Sequence, residues 1–231
     1  MIYVVSDLHG SNKKFQRLLD EIRFTDKDIM YVLGDIVDYG DDSIELLCDL
    51  SMRFNIIPIV GEHDYRAVRL LKALNGMLTD GVRPDQETIG EMAAWMEDGG
   101  AKVMEDFKAL DSDMREGVIE YLEDMSLYEE LEVGKEKYIL VHAGIADYDP
   151  DSSLEDYMPE DFISEPIDLN HELIDGVTII AGHVPTYTIE GAERGKIYHG
   201  EGSIFIDCGA AFDEPLGCIC LENGKEYYVY D

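Results

Sequence analysis

With 231 residues, 45% of them hydrophobic, the chain has enough apolar material for one α/β domain with a substantial core, which excludes wholesale disorder. Its 51 acidic and 18 basic residues give a formal net charge of −33, which opposes binding to the backbone of nucleic acids and to anionic membrane surfaces. The excess is read as a solubility feature without a partner-specific meaning.

The chain opens on Met1-Ile2-Tyr3-Val4-Val5, without the basic region or long apolar stretch of a signal peptide. No apolar run approaches the ~20 residues needed to cross a bilayer. Four cysteines, Cys48, Cys208, Cys218 and Cys220, fit reduced thiols in a cytoplasmic protein. Cys218 and Cys220 lie two apart on a predicted strand and are expected in the core.

Residues 2–6 are predicted as a buried strand running into Asp7-Leu8-His9-Gly10, followed by a helix from Asn12 with Phe15, Leu18, Leu19 and Ile22 on one face. The unit repeats with a strand at 29–33, the turn Gly34-Asp35-Ile36-Val37-Asp38-Tyr39-Gly40, and a helix from Ser43. A third strand, 56–60, ends in Gly61-Glu62-His63-Asp64; a helix over 67–74 is expected to stop at Asn75-Gly76. Three such units imply a largely parallel sheet covered on both faces.

Residues 76–126 break the rhythm with three helical periods, read as an insertion in a single domain spanning 1–231. Trp95 falls at helical spacing with Met92 and Met96 and is expected in the core. Strands resume at 131–133 and 138–141, the second ending at His142-Ala143-Gly144. An acidic, Pro-interrupted excursion covers 148–172, and a strand at 177–181 ends in Gly182-His183. Strands at 203–206, 217–221 and 226–230 close the chain, the last two joined by the hairpin signal Asn223-Gly224.

Five predicted strands thus end in potential ligands: Asp7 and His9; Asp35 and Asp38; Glu62 and His63; His142; His183. Taken singly, each has an ordinary explanation: an aspartate capping the next helix, a satisfied polar histidine, a glycine permitting positive φ. Their recurrence at one sheet edge favours a metal site, and mixed His and carboxylate ligands suit manganese, iron, zinc or a mixed pair better than calcium. His171 and His199 lack such framing and are read as surface residues.

Asp7-x-His9-Gly10, Gly34-Asp35-x-x-Asp38-x-Gly40, Gly61-x-His63-Asp64, His142-Ala143-Gly144 and Gly182-His183 resemble the motif series of the calcineurin-like metallophosphoesterases, in their order and across nearly the whole chain. The branch most similar contains bacterial Ser/Thr protein phosphatases and symmetrical dinucleoside tetraphosphatases. The resemblance implies an α/β (α+β) fold in which a β-sandwich of two sheets is flanked by helices. It also implies two divalent or trivalent metal ions, manganese first among the choices. By position, Asp7, His9 and Asp35 would hold one ion, with Asp35 bridging, and Glu62, His142 and His183 the other. His63, supported by Asp38, would be the general acid, and a bridging hydroxide would attack phosphorus directly.

The sequence departs from that pattern at three places. Glu62 stands where the family has Asn, Tyr39 stands where the protein-phosphatase branch has Arg, and no Arg or Lys occurs between Gly144 and His183. Tyr39 offers one neutral donor in place of a charged fork. Arg66, Arg69 and Arg194 are candidates to compensate, Arg66 foremost. The expected function is metal-dependent hydrolysis of a phosphorylated protein or small phosphoester. The alternative is a degenerate member serving as a binding or regulatory module. An acidic mouth near 147–165 argues against polyanionic substrates.

Overall fold

The computed structural model describes residues 1–167 and 173–231; the expectation for His171 and the end of the acidic excursion lie outside them. Ten strands and seven α-helices follow one another among these residues. Strands β1 (Ile2–Val5), β2 (Ile29–Val32) and β3 (Ile56–Pro58) are parallel, with Ile2 opposite Ile29 and Met30 opposite Ile56. Helices α1 (Asn12–Ile22) and α2 (Ser43–Ser51) provide the crossovers.

The single parallel sheet expected from the three units is not what forms. Two five-stranded sheets do, as the family resemblance implied. β9 (Leu216–Cys220) runs antiparallel to β1, and β10 (Lys225–Val229) extends that edge, giving the order β10-β9-β1-β2-β3. The second sheet has β4 (Tyr128–Val133), β5 (Glu136–Val141), β6 (Val177–Ala181), β7 (Tyr198–His199) and β8 (Ser203–Phe205) in the order β4-β5-β6-β8-β7.

Strand alternation explains why the central strands are largely apolar. Val4, Tyr31, Leu33, Leu140, Ile180 and Ile219 belong to one cluster shared by the two sheets. Their neighbours Tyr3, Val5, Met30, Val32 and Cys218 instead join Phe15, Leu18, Leu46 and Leu47 of the covering helices. Both faces are buried, so neither needs polar residues.

Helix α3 (Glu62–Asp80) begins five residues earlier than expected and runs past Asn75-Gly76, ending where Gly81 adopts φ +66°. Its start is fixed by Asp64, whose carboxylate accepts the Gly61 N–H at 3.1 Å. Glu62 and His63 therefore sit on a first helical turn. After α3 come α4 (Gln86–Trp95), α5 (Ala101–Ala109) and α6 (Ser112–Glu123). Asp85 and Asp111 cap α4 and α6 by accepting the Thr88 and Met114 N–H groups. The kinked stretch Met96–Gly100, with Gly99 at φ +93°, turns α4 into α5. Helices α5 and α6 pack on α2 and α3, and α4 packs on α3. One short helix, α7 (Pro159–Ile163), lies in the acidic excursion.

Candidate active site

The turns following β1, β2, β3, β5 and β6 converge at one end of the two sheets. Backbone bonds knit the first two together: His9 N–H donates to Asp35 O at 2.8 Å and Gly10 N–H to Ile36 O at 2.8 Å. The approach is close enough to dictate residue type. A Cβ on Gly61 would lie 2.2 Å from Asp35 N, so only glycine fits. Asp7, His9, Asp35, Asp38, Tyr39 and His183 all hold φ between +40° and +73°, a left-handed region that costs L-residues roughly 1 kcal/mol each.

Asp35 is the hub. Its carboxylate lies with His9 and His63 in one group of donor atoms and with His142 and His183 in another, each group closed within 4.8 Å. Asp35 Oδ2 is 3.8 Å from His9 Nε2 and 3.4 Å from His142 Nε2, while Oδ1 accepts the His63 backbone N–H at 2.9 Å. His9 and His142 each donate Nδ1–H to a backbone carbonyl, Val37 O at 2.8 Å and Leu33 O at 2.7 Å. That fixes the tautomer and leaves Nε2 facing Asp35, the orientation found in metal-ligating imidazoles. The donor set fits cations that accept mixed nitrogen and oxygen ligands.

Two of the expected ligands stand apart from these groups. Asp7 is buried, and its carboxylate accepts the His183 N–H at 3.0 Å and the Ser6 hydroxyl. Glu62 is exposed at the rim, with Oε2 4.0 Å from His183 Nδ1.

Burial would neutralise both Asp35 and His142. Their mutual attraction outweighs it, holding Asp35 well below the usual carboxylate range and lifting His142 to about 10. Burial holds His9 below its ordinary value. His183 is also lowered, by burial and then by the His142 charge. His63 is pulled down by burial, but its hydrogen bond to Asp38 and the Asp35 charge leave it raised. Asp7 is pushed well above the carboxylate range, first by burial and then by the Asp207 charge.

Asp38 is fully buried and makes three side-chain contacts through its carboxylate. His63 Nδ1–H donates at 2.6 Å, Arg66 Nη2 at 2.8 Å, and the Trp95 indole N–H to both oxygens, at 2.8 and 2.9 Å. Arg66 Nη1 reaches Asp98 at 2.7 Å, and the Tyr39 hydroxyl lies 3.4 Å from the same residue. Helix α4 and the kink after it thus bring Trp95 and Asp98 to the site. Trp95 is in the core, as its spacing suggested, but it also donates to Asp38. Of the other candidate arginines, Arg69 pairs with Glu91 and Arg194 with Glu214, both on the surface. Trp95, Asp98, Asp207 and Phe212 were not singled out as site residues by sequence. Asp64 was given no role, yet it also accepts the Ile36 and Val37 N–H groups at 3.0 and 3.3 Å, tying the β2 turn to α3.

A sequence profile of the calcineurin-like phosphoesterases matches residues 1–215. The symmetrical bis(5'-nucleosyl)-tetraphosphatase of Buchnera aphidicola subsp. Schizaphis graminum is 41% identical over 69 residues, 29% of this chain and 25% of that protein. Its counterpart from Paracidovorax citrulli is 26% identical over 146 residues, 62% of this chain and 44% of that one. The match thus spans from a quarter to under half of these relatives' length. Among solved structures, a serine/threonine protein phosphatase from Saccharomyces cerevisiae superposes with a TM-score of 0.59 at 14% identity, covering 100% of this chain and 79% of the other. A metallophosphoesterase from Sphaerobacter thermophilus gives 0.57 at 15% identity, with 100% and 87% covered. At such identities the structural likeness is one of fold. The profile spans nearly the whole chain and takes in every turn of the site: this chain belongs to the calcineurin-like phosphoesterase family.

Proposed function

We propose that the chain, acting as one domain, is a metal-dependent phosphoester hydrolase. The observation that carries this reading is the Asp35 carboxylate shared between two histidine groups, with the His63–Asp38 pair beside it at 2.6 Å. His9, Asp35, His142 and His183 would hold a pair of divalent ions, manganese in the first instance, with Asp7 and Glu62 completing the ligand sets. Such ions supply Lewis-acid charge on a phosphoryl oxygen and an acidified water as nucleophile. The chain's own groups do the rest. His63 donates Nδ1–H to Asp38, so its Nε2 is the position from which a proton passes to the departing oxygen. The raised His63 pKa keeps that proton available near neutrality. Arg66 and Trp95 hold Asp38, and through it His63.

Charge beside the site bears on the substrate class. Arg66 is engaged by Asp38 and Asp98, and the chain is strongly acidic. These features support a small phosphomonoester or a phosphorylated side chain over a polyphosphate or nucleic acid. None of the helices among the described residues is long and apolar enough to cross a membrane. The engagement of Arg66 also supports a second reading, a member that keeps the fold and metal but binds without turning over.

The deciding experiment measures metal content and hydrolysis of an aryl phosphate with added manganese, against an Asp35→Asn control. Turnover at least a hundredfold above the control is expected. Turnover equal to it, with metal bound, overturns the hydrolase reading in favour of the binding module.

A further inference from the structure

Tyr39 and Phe212 stand at the mouth of the site with no role in the core. Tyr39 is 41% and Phe212 46% exposed, yet both belong to one chain of ring contacts. The Tyr39 ring meets His9 at a centroid distance of 4.9 Å, His63 at 5.2 Å and Phe212 at 5.4 Å, tilted by 54° from the last. A row of rings therefore runs outward from the donor groups.

The Tyr39 ring is backed by Gly99 and Asp98, and the backbone under Phe212 is anchored. Tyr39 N–H donates to Gly99 O at 3.2 Å, its hydroxyl reaches Asp98, and a Cβ on Gly99 would fall 2.7 Å from Tyr39 Cδ1. Phe212 N–H donates to Gly209 O at 2.8 Å. Its loop is pinned by buried Lys14, whose Nζ donates to Ala210 O and Glu214 O at 2.9 Å each. Two exposed aromatics on anchored backbone, packed against each other beside a polar site, form a contact surface for another ring.

The charges nearby say what that surface does not bind. Asp41, Asp42 and Asp213 line the adjoining cleft of about 360 Å³, and of its two lysines Lys14 is committed to carbonyls. A second phosphate would meet mainly carboxylates there. A neutral ring would not.

We propose that Tyr39 and Phe212 form an aromatic platform for the leaving group, so that the substrate is a phosphomonoester carrying an aryl or heteroaryl ring close to the ester oxygen. This rests on the hydrolase reading above, and the test separates the two.

Benzylphosphonate and cyclohexylmethylphosphonate, alike in size and charge, are titrated calorimetrically into the manganese-loaded protein and into Phe212→Leu and Phe212→Ala. In parallel, hydrolysis of benzyl phosphate and cyclohexylmethyl phosphate is followed; their leaving alcohols are of similar basicity. Expected is about five- to tenfold tighter binding of the benzyl compound, lost in both variants while cyclohexylmethyl affinity stays put. Hydrophobicity alone would favour the saturated ring. Equal affinities, or no binding of either compound, overturn the platform even if both esters are hydrolysed. A benzyl preference that Phe212→Leu abolishes, with neither ester hydrolysed, keeps the platform and overturns the hydrolase reading.

Discussion

The indole N–H of Trp95 donates to both carboxylate oxygens of Asp38, 57 residues away in sequence, at 2.8 and 2.9 Å. Asp38 in turn accepts from His63, so helix α4 holds the residue that orients the proposed acid.

Trp95→Phe keeps most of the ring and deletes the donor. A hydrogen bond to a buried carboxylate is worth about 1.5–3 kcal/mol, and a loss of that size is expected in thermal unfolding. Turnover should fall about five- to twentyfold. With one donor gone, Asp38 attracts the His63 proton more strongly, so the basic limb of the pH–rate profile should move upward. A stability loss with an unmoved profile would reduce Trp95 to packing.

Tyr39→Arg combined with Glu62→Asn restores the family's charge arrangement at two of its departures. A charged bond to a phosphate oxygen is worth about 1.5–3 kcal/mol, so kcat on an aryl phosphate should rise at least tenfold. The benzyl preference should shrink at the same time. Unchanged kcat would show that these positions do not limit catalysis.

Asp207 is buried, and burial first, then the Asp35 charge, push its carboxyl up to about 7 against the opposing Gly209 N–H bond. A carboxyl raised on folding stabilises the fold while protonated; the contribution is complete below pH ~4 and lost as pH rises through ~7. The difference is worth roughly 4 kcal/mol at most. The metal-free protein should therefore lose stability across that window. Asp207→Asn, which keeps the acceptor for Gly209, should flatten the slope. An identical pH dependence in the variant would assign the effect to other carboxyls.

Gly61→Ala places a methyl 2.2 Å from Asp35 N and 2.3 Å from Asp35 Oδ1, and neither the turn nor the hub can retreat. A loss of about 3 kcal/mol or more, with metal uptake abolished, is expected. Gly117→Ala is the control: it lies in α6 with nothing within 4 Å of the added methyl and should stabilise by about 0.5–1 kcal/mol. Equal and small effects in both would refute the close-approach account.

Much of this could be read from the chain because the central strands are buried on both faces and announce themselves as apolar runs. The strand-end Asp and His residues were visible as a set through their motif order. What escaped was set by long-range geometry. Trp95 satisfies a helical period whether or not its N–H has a task, and its partner lies on another element. Phe212 is a lone aromatic in a turn, with no periodicity to mark it. The start of α3 was missed because Gly61 has no side chain to cap with; Asp64 does that work from within the helix. Nor could the motif order tell that Asp7 gives its oxygens to Ser6 and the His183 backbone.

Six side-chain-bearing residues of the site sit in left-handed backbone where glycine would be more comfortable. Replacing any of them with glycine would relieve the local backbone but remove a side chain whose contacts hold the neighbouring turns, as Asp38 holds His63, Arg66 and Trp95. Local backbone cost and side-chain chemistry are thus tied together at one edge of the sheets, so the turns are held in shape by the same carboxylates and imidazoles that face the site.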